Sequence, residues 1–338
     1  MKNNLLIAGT LGLVMALTAT TESHAQRRRN TGFMPYSEVG MGVGTSSYYG
    51  ELAGYRKPIR STFLMMRWNA GAMYTRHFTP NLSARASFTW ARIAGDDYTY
   101  NKGNVAAGPA QFARNLHFRN DLKEFGLTGI YQFVKAGKNT NYRPKLTPYV
   151  FAGLALTAHS PEAKTPVDNP NPGVPDDTQQ RWVKLQPLGT EGQGQPGNPE
   201  PYPLVVLAVP VGFGVRYKLN DRFDVGAELG FRITRTDYLD DVGGPYPADP
   251  NLVTSEVGRA LSDRRTEATA ARKGGDRVQL LQDYLTSQGI QGDPLQIVRT
   301  DPNFAVRGAK GILNDGYLIG QIQLHYVLLP RIKCPPIK

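Results

Sequence analysis

Beyond the amino-terminal stretch the sequence holds four histidines, His77, His117, His159 and His325. Histidine is the side chain best suited to moving a proton near neutral pH. With a serine and a carboxylate in reach it could activate a nucleophile against a lipid or a protein. None of the four has a serine or an acid beside it in a recognisable sequence arrangement, so no catalytic residues are assigned and no enzyme activity is expected. A second candidate is acidic. Asp237, Asp240 and Asp241 in Thr236-Asp-Tyr-Leu-Asp-Asp-Val242 could offer hard oxygen ligands to a calcium ion. Such a cluster more often caps a strand end or pairs with a neighbour such as Arg235, so no metal is assigned. Gly192 to Gly197 lacks the Gly-Lys-Ser/Thr ending of a phosphate loop, and no cofactor is expected.

A third group is spread along the chain: Glu38, Arg67, Arg85, Glu124, Arg216, Asp224, Glu228 and Arg232. What unites them is the pattern around them. In Leu207 to Leu219 every second residue, from Leu207 through Val211 and Val215 to Leu219, is apolar, and Arg216 and Lys218 fall between them. Phe223 to Ile233 repeats the pattern, with Asp224, Glu228 and Arg232 on the polar side. Period-two alternation is the signature of a strand. Asn220-Asp221-Arg222 supplies the tight turn between the two arms. Each arm is long enough for the roughly 9–11 tilted residues that cross a hydrocarbon layer.

Eight such strands are expected: Tyr36 to Leu52, Phe63 to Phe78, Leu82 to Ile93, Phe118 to Phe133, Thr147 to Thr157, the two arms, and Tyr317 to Leu328. The fifth is apolar on both faces, so its inward side stays open. Connections alternate between short (Thr79 to Asn81, Lys135 to Leu146, Asn220 to Arg222) and long, the last two covering about 158–203 and 236–313. Short periplasmic turns and long outer loops mark an outer-membrane barrel. The fold class is therefore all-β: an eight-stranded antiparallel transmembrane β-barrel with long extracellular loops. So narrow a lumen holds only side chains, and the eight charges should pair inside it. The 158–203 loop, with Pro170-Asn-Pro-Gly-Val-Pro, reads as irregular. Ser255 to Ala271 and Asp276 to Leu285 have helical composition, with Val278, Leu281 and Leu285 on one side, as a cap over the mouth or a docking surface would.

Lys2 and the apolar run Leu5 to Leu17, followed by Ser23-His24-Ala25, predict a signal peptide over 1–25 and a barrel domain over 26–338. The single cysteine, Cys334, excludes an intramolecular disulfide and a lipid attached just after the signal. The net charge of +11 is scattered through strands and loops, so anionic lipid or an acidic partner suits it better than nucleic acid. The expected location is the outer membrane, with membrane lipid as a partner and the oligomeric state left open.

Several stretches then form a recognisable set. They are Ser47-Tyr-Tyr-Gly-Glu-Leu52, Arg114-Asn-Leu-His-Phe-Arg119, Thr147-Pro-Tyr-Val-Phe-Ala-Gly153, Leu185-Gln-Pro-Leu-Gly-Thr-Glu-Gly-Gln-Gly194, Thr236 to Val242, Leu261-Ser-Asp-Arg264, and Arg307-Gly308 with Asp315 and Tyr317. In these the chain resembles a Bacteroidetes outer-membrane barrel family (DUF6089-like) that includes the type IX secretion barrel PorG. The resemblance implies a non-enzymatic barrel that anchors a type IX protein-secretion assembly to the outer membrane, with periplasmic secretion-ring proteins as partners. The chain departs from the family in the long insert between Leu261-Ser-Asp-Arg264 and Arg307. The alternative is a surface-exposed binding protein or adhesin acting through its long loops.

Overall fold

The computed structural model describes residues 33–55, 57–138, 140–166, 180–308 and 314–328. The expected signal peptide, Pro170 to Pro175, Cys334 and the tail Arg331 to Lys338 lie outside the described residues. Eight long strands form the wall: β1 (Tyr36–Tyr49), β2 (Arg67–His77), β3 (Leu82–Asp96), β4 (His117–Gln132), β5 (Leu146–Ala158), β8 (Val205–Lys218), β9 (Phe223–Thr234) and β10 (Gly316–Leu328). Each pairs antiparallel with the next, and β10 returns to pair with β1, from Ser37 opposite Leu328 to Tyr49 opposite Gly316. The ring is closed, so no strand edge is left unpaired across the bilayer. Two short strands, β6 (Pro161–Lys164) and β7 (Trp182–Lys184), extend the outer end of β4 beyond the ring.

The alternation read from the sequence becomes two surfaces. Outward positions such as Met41, Val43, Phe88, Leu154, Phe213 and Ile322 are exposed, whereas Glu38, Asn69, Thr75, Arg85, Glu124, Arg216 and Gln323 are buried in the lumen. An apolar belt around a polar, filled interior is stable only where hydrocarbon surrounds it. The protein is an outer-membrane β-barrel.

The fifth strand, ambiguous in sequence, turns Tyr149 and Phe151 inward against Ile130. The opposing strands make room with glycine. A Cβ at Gly212 or Gly230 would lie 2.5 or 2.6 Å from the Phe151 ring, and one at Gly214 would lie 2.5 Å from that of Tyr149. With both rings inside, the space among Arg85, Glu124, Phe151, Glu228 and Arg232 shrinks to about 10 Å³, roughly the room for one water. The lumen is a plug.

Several sequence expectations change, and the 158–203 loop, expected to be irregular, holds β6 and β7. Pro58–Leu64 is a helix, α1, where the second strand was expected to begin at Phe63, because Pro58 sits at the helix start and the strand begins only at Arg67. The helical stretch Ser255 to Ala271 shortens to α4 (Glu256–Ser262), and the next helix, α5, runs Val278–Ser287. Past Ser262 the chain leaves the helix at Asp263, and Arg264 and Arg265 turn to partners outside it. A further helix, α6 (Pro294–Thr300), was not anticipated. With α2 (Asp97–Asn101) and α3 (Pro109–Arg114), the helices α4, α5 and α6 build a cap over the outer mouth. Leu281, Leu285, Val298, Phe112 and Phe304 form its core.

Detergent-folded protein should give a strand-dominated far-ultraviolet spectrum and a gel band that shifts on boiling. Arg216→Leu strands the buried Glu38 carboxylate and should cost about 3–5 kcal/mol in urea unfolding. Val215→Leu, on the lipid face, should be nearly neutral; equal effects would reverse the assignment of the two faces.

Candidate functional site

The lumen charges meet in pairs drawn from distant strands. Arg216 reaches both Glu38 oxygens at 2.9 and 3.0 Å, Arg85 reaches Glu228 at 2.6 Å, and Arg232 lies 3.1 Å from Glu124. Asp224 takes a partner absent from the sequence set, Arg143 of the β4–β5 turn, at 2.8 Å. Arg67 does not join. It sits half-buried at the outer rim and donates to the Met66 carbonyl at 2.8 Å, because the first rung of β2 lies too high to reach the lumen carboxylates.

The histidines correct the sequence reading in one respect. His77 Nδ1 lies 2.7 Å from the Ser83 hydroxyl, and its Nε2 lies 3.3 Å from Glu38. Serine, histidine and acid therefore stand in a row, which six residues of separation across a hairpin concealed. Three features turn the row away from catalysis. Ser83 is 5 % exposed and Glu38 is fully buried. Glu38 is already held by Arg216 and faces His325 at 3.3 Å. Tyr36 stacks on the His77 ring at 4.2 Å, and a nucleophile needs space for a reacting atom about 3 Å away. The row is lumen packing. His159 lies outside the wall; burial pushes its pKa down to about 4, and its neutral Nε2–H faces the Pro203 carbonyl at 3.0 Å. The His117 Nε2 accepts the Lys164 amide at 2.9 Å.

The acidic motif divides. Asp237 stays at the rim, while Asp241, held at φ 71°, turns into the cap. There it accepts the Tyr202 hydroxyl at 2.6 Å and the Thr190 hydroxyl, and it lies 3.4 Å from Arg307. Arg307 also donates to Glu191 at 3.1 Å, to Thr190 at 2.7 Å and to the Ser262 carbonyl at 3.2 Å. Residues near 190, 241, 262 and 307 thus share one buried node. Burial raises the Asp241 carboxyl to about 6 against the pull of Arg307.

Asp240 turns the other way, to the seam between cap and barrel. The Tyr48 hydroxyl stands 2.6 Å from Asp240 and 2.7 Å from Asp315. One hydroxyl proton serves only one acceptor, so two buried carboxylates around it are best satisfied when one is itself protonated. Glu51 completes a trio whose facing oxygens lie within 4.8 Å of one another. Burial first, then the neighbouring carboxylates, hold Asp240 and Asp315 well above the ordinary range and raise Glu51 to about 7. The three aspartates of the motif therefore do not converge. Among the described residues, Glu51, Asp240 and Asp315 are those that could hold a hard cation, and only after releasing the protons they share.

Buried arginines bind the cap together. Arg114 forks onto Asp97 with two 2.8 Å bonds, and Arg264 forks onto Glu267 at 2.6 and 2.8 Å. Arg277 donates to the carbonyls of Ala113 and Arg265, tying α5 to α3. Its pKa falls to about 10 through burial, and it stays charged at neutral pH.

Residues 20–164 match the family model described as a domain of unknown function (DUF6089), which covers β1 to β6. The match spans less than half of the chain. No curated protein matches the chain. Among solved structures, Neisserial surface protein A is 9 % identical with a TM-score of 0.35, covering 86 % of this chain and 96 % of that one. The N-terminal β-barrel domain of Pseudomonas aeruginosa OprF is 10 % identical with a TM-score of 0.30, covering 87 % and 100 %. Ail, the attachment invasion locus protein of Yersinia pestis, is 8 % identical with a TM-score of 0.31, covering 87 % and 99 %.

Folded protein retains carboxyl protons that the unfolded chain has released between the ordinary carboxylate range and about pH 7. Stability should therefore fall as the pH rises through that window. In metal-free buffer the thermal midpoint should be higher at pH 5.5 than at pH 8. Asp315→Asn removes one charge from the seam; it should raise the pH 8 midpoint, by about 2–4 °C per kcal/mol gained, and flatten the dependence. A midpoint that climbs with pH in the parent protein would contradict the shared protons.

Proposed function

We propose that the chain is a non-transporting outer-membrane scaffold that displays a preformed binding surface to the cell exterior, as a surface-binding protein or adhesin does. The observation that carries this reading is the cap. A loop that only connects strands needs no core, yet this one is organised by its own apolar cluster and by fully buried Arg264, Arg277 and Arg307. Fixing so many groups costs conformational entropy, and the gain is a surface of fixed shape. The plugged lumen leaves no path for a solute.

A second reading, the anchor of a type IX secretion assembly, is favoured by the opposite face. Lys135, Lys138, Lys145 and Arg222 are exposed on the short turns, with Asp221 as an acid among them. Such a rim would attract an acidic periplasmic partner or ring protein. Arg143 of the same turn is instead occupied with Asp224 inside.

Two variants in the native host separate the readings. One reverses the rim (Lys135, Lys138, Lys145 and Arg222 to Glu). The other replaces exposed Gln279, Asp283 and Thr286 on α5 with arginine. Under the surface-binding reading the α5 variant loses adhesion of intact cells to protein- or glycan-coated surfaces, and secretion of sorting-domain proteins is unchanged in both. Loss of secretion in the rim variant, with adhesion intact in the α5 variant, would replace it with the anchor.

A further inference from the structure

At the outer end of β1 two residues break the rule that outward side chains are exposed. Ser47 and Tyr49 share the parity of Val39, Met41 and Val43, which are exposed, yet they are 2 % and 6 % exposed. The covering element is α1. The Ser47 hydroxyl donates to the Thr62 carbonyl at 2.7 Å, and the Tyr49 hydroxyl meets that of Thr62. The Tyr49 ring packs edge-on against Phe231, an outward residue of β9, at 5.5 Å. The helix therefore lies against the outer wall of the barrel.

Its buried side is polar and bonded. Ser61 donates to the Gly54 carbonyl at 2.9 Å, and the Arg60 guanidinium folds over the Tyr100 ring at 5.3 Å. Its free side is apolar. Ile59 is 76 % and Phe63 67 % exposed, one helical turn apart, with Leu64 and Met66 beside them. The next outward residue is Trp68, packed edge-to-face on Trp90 at 5.2 Å. Trp68 stands opposite Thr45 in the register. Ser47 and Tyr49 therefore lie about 7–13 Å further along the strand than the tryptophans, at about 3.3 Å per residue.

We infer that α1 is an interfacial foot, which inserts Ile59 and Phe63 into the boundary between head groups and acyl chains of the outer leaflet. Lipid is the occupant because the apolar side of α1 runs without a break through Met66 and Trp68 into the lipid-facing belt. Tryptophan and tyrosine rings favour that depth, and an amphipathic helix lies in that plane with its apolar face down. The foot sets the height and tilt of the cap above the membrane. This inference holds whichever partner the cap or the rim engages.

The test uses full-length protein carrying Cys334→Ser, with a nitroxide placed in turn at Ile59→Cys, Phe63→Cys, Met41→Cys in the belt and Gln279→Cys on the cap. Each variant is reconstituted in phosphatidylethanolamine–phosphatidylglycerol vesicles and must show the boiling-dependent gel shift. Collision with oxygen, which partitions into lipid, is compared with collision with a water-soluble nickel chelate. The oxygen-to-nickel ratio at 59 and 63 should fall between that at 41 and that at 279, and exceed the latter several-fold. A ratio equal to that at 279 would place α1 in water. Shielding from both reagents would mean that protein, a second copy included, covers it. Either result overturns the foot.

Discussion

A ring of eight strands leaves inside itself only the width of its own side chains, and most of this structure follows from that shortage. Charges placed there have no water to fall back on, so each must find a partner from across the ring. Arg216 spans from β8 to Glu38 on β1, Arg85 from β3 to Glu228 on β9, and Arg232 from β9 to Glu124 on β4. The pairs act as crossbars between strands that are not neighbours. The glycines of β8 and β9 answer the same shortage by yielding to the Tyr149 and Phe151 rings. A filled interior also means that function must sit at one of the two ends.

The wall was legible in the sequence because lipid outside and polar groups inside force a period of two, and only a strand satisfies it. Strand ends could not be read so closely: β2 was expected from Phe63 and begins at Arg67. Lumen polarity could be read for every strand except β5. There Tyr149 and Phe151 face in while Val150 and Leu154 face out, and hydrophobicity alone cannot rank them. The sites were less legible. Ser83 joins His77 only through hairpin pairing, Arg143 reaches Asp224 from a turn, and Arg67 falls at a rim that only strand length defines. The node of Thr190, Glu191, Asp241 and Arg307 was visible as separate motifs. Its convergence depended on loop packing, which leaves no periodicity to read.

The cap depends on guanidinium groups more than on apolar mass. Most of its helices are under two turns long, too short to stand alone. Arg277 spends donors on the carbonyls of Phe112 and Ala113, closing hydrogen bonds that the end of α3 leaves open, and Arg264 reaches the Lys164 carbonyl of β6. Arg307 does the same at the node, taking the Asp241 and Ser262 carbonyls. The acidic trio beneath it works by a different economy. Tyr48, Asp240, Asp315 and Glu51 join β1, the end of β9 and the start of β10, and hold their contact by sharing protons.

The seam between β1 and β10 gives the molecule a chronology. These strands are the first and last of the ring, and residues 235–308, which hold the largest part of the cap, precede β10 in the chain. While the seam is open, that segment can pass outward beside the nascent wall. Once β10 has paired with β1, the plugged lumen offers it no way through. Threading must therefore precede closure. The node of Glu191, Asp241 and Arg307 can form only on the far side of the membrane, so an assembled cap records that the last strand arrived after everything it carries.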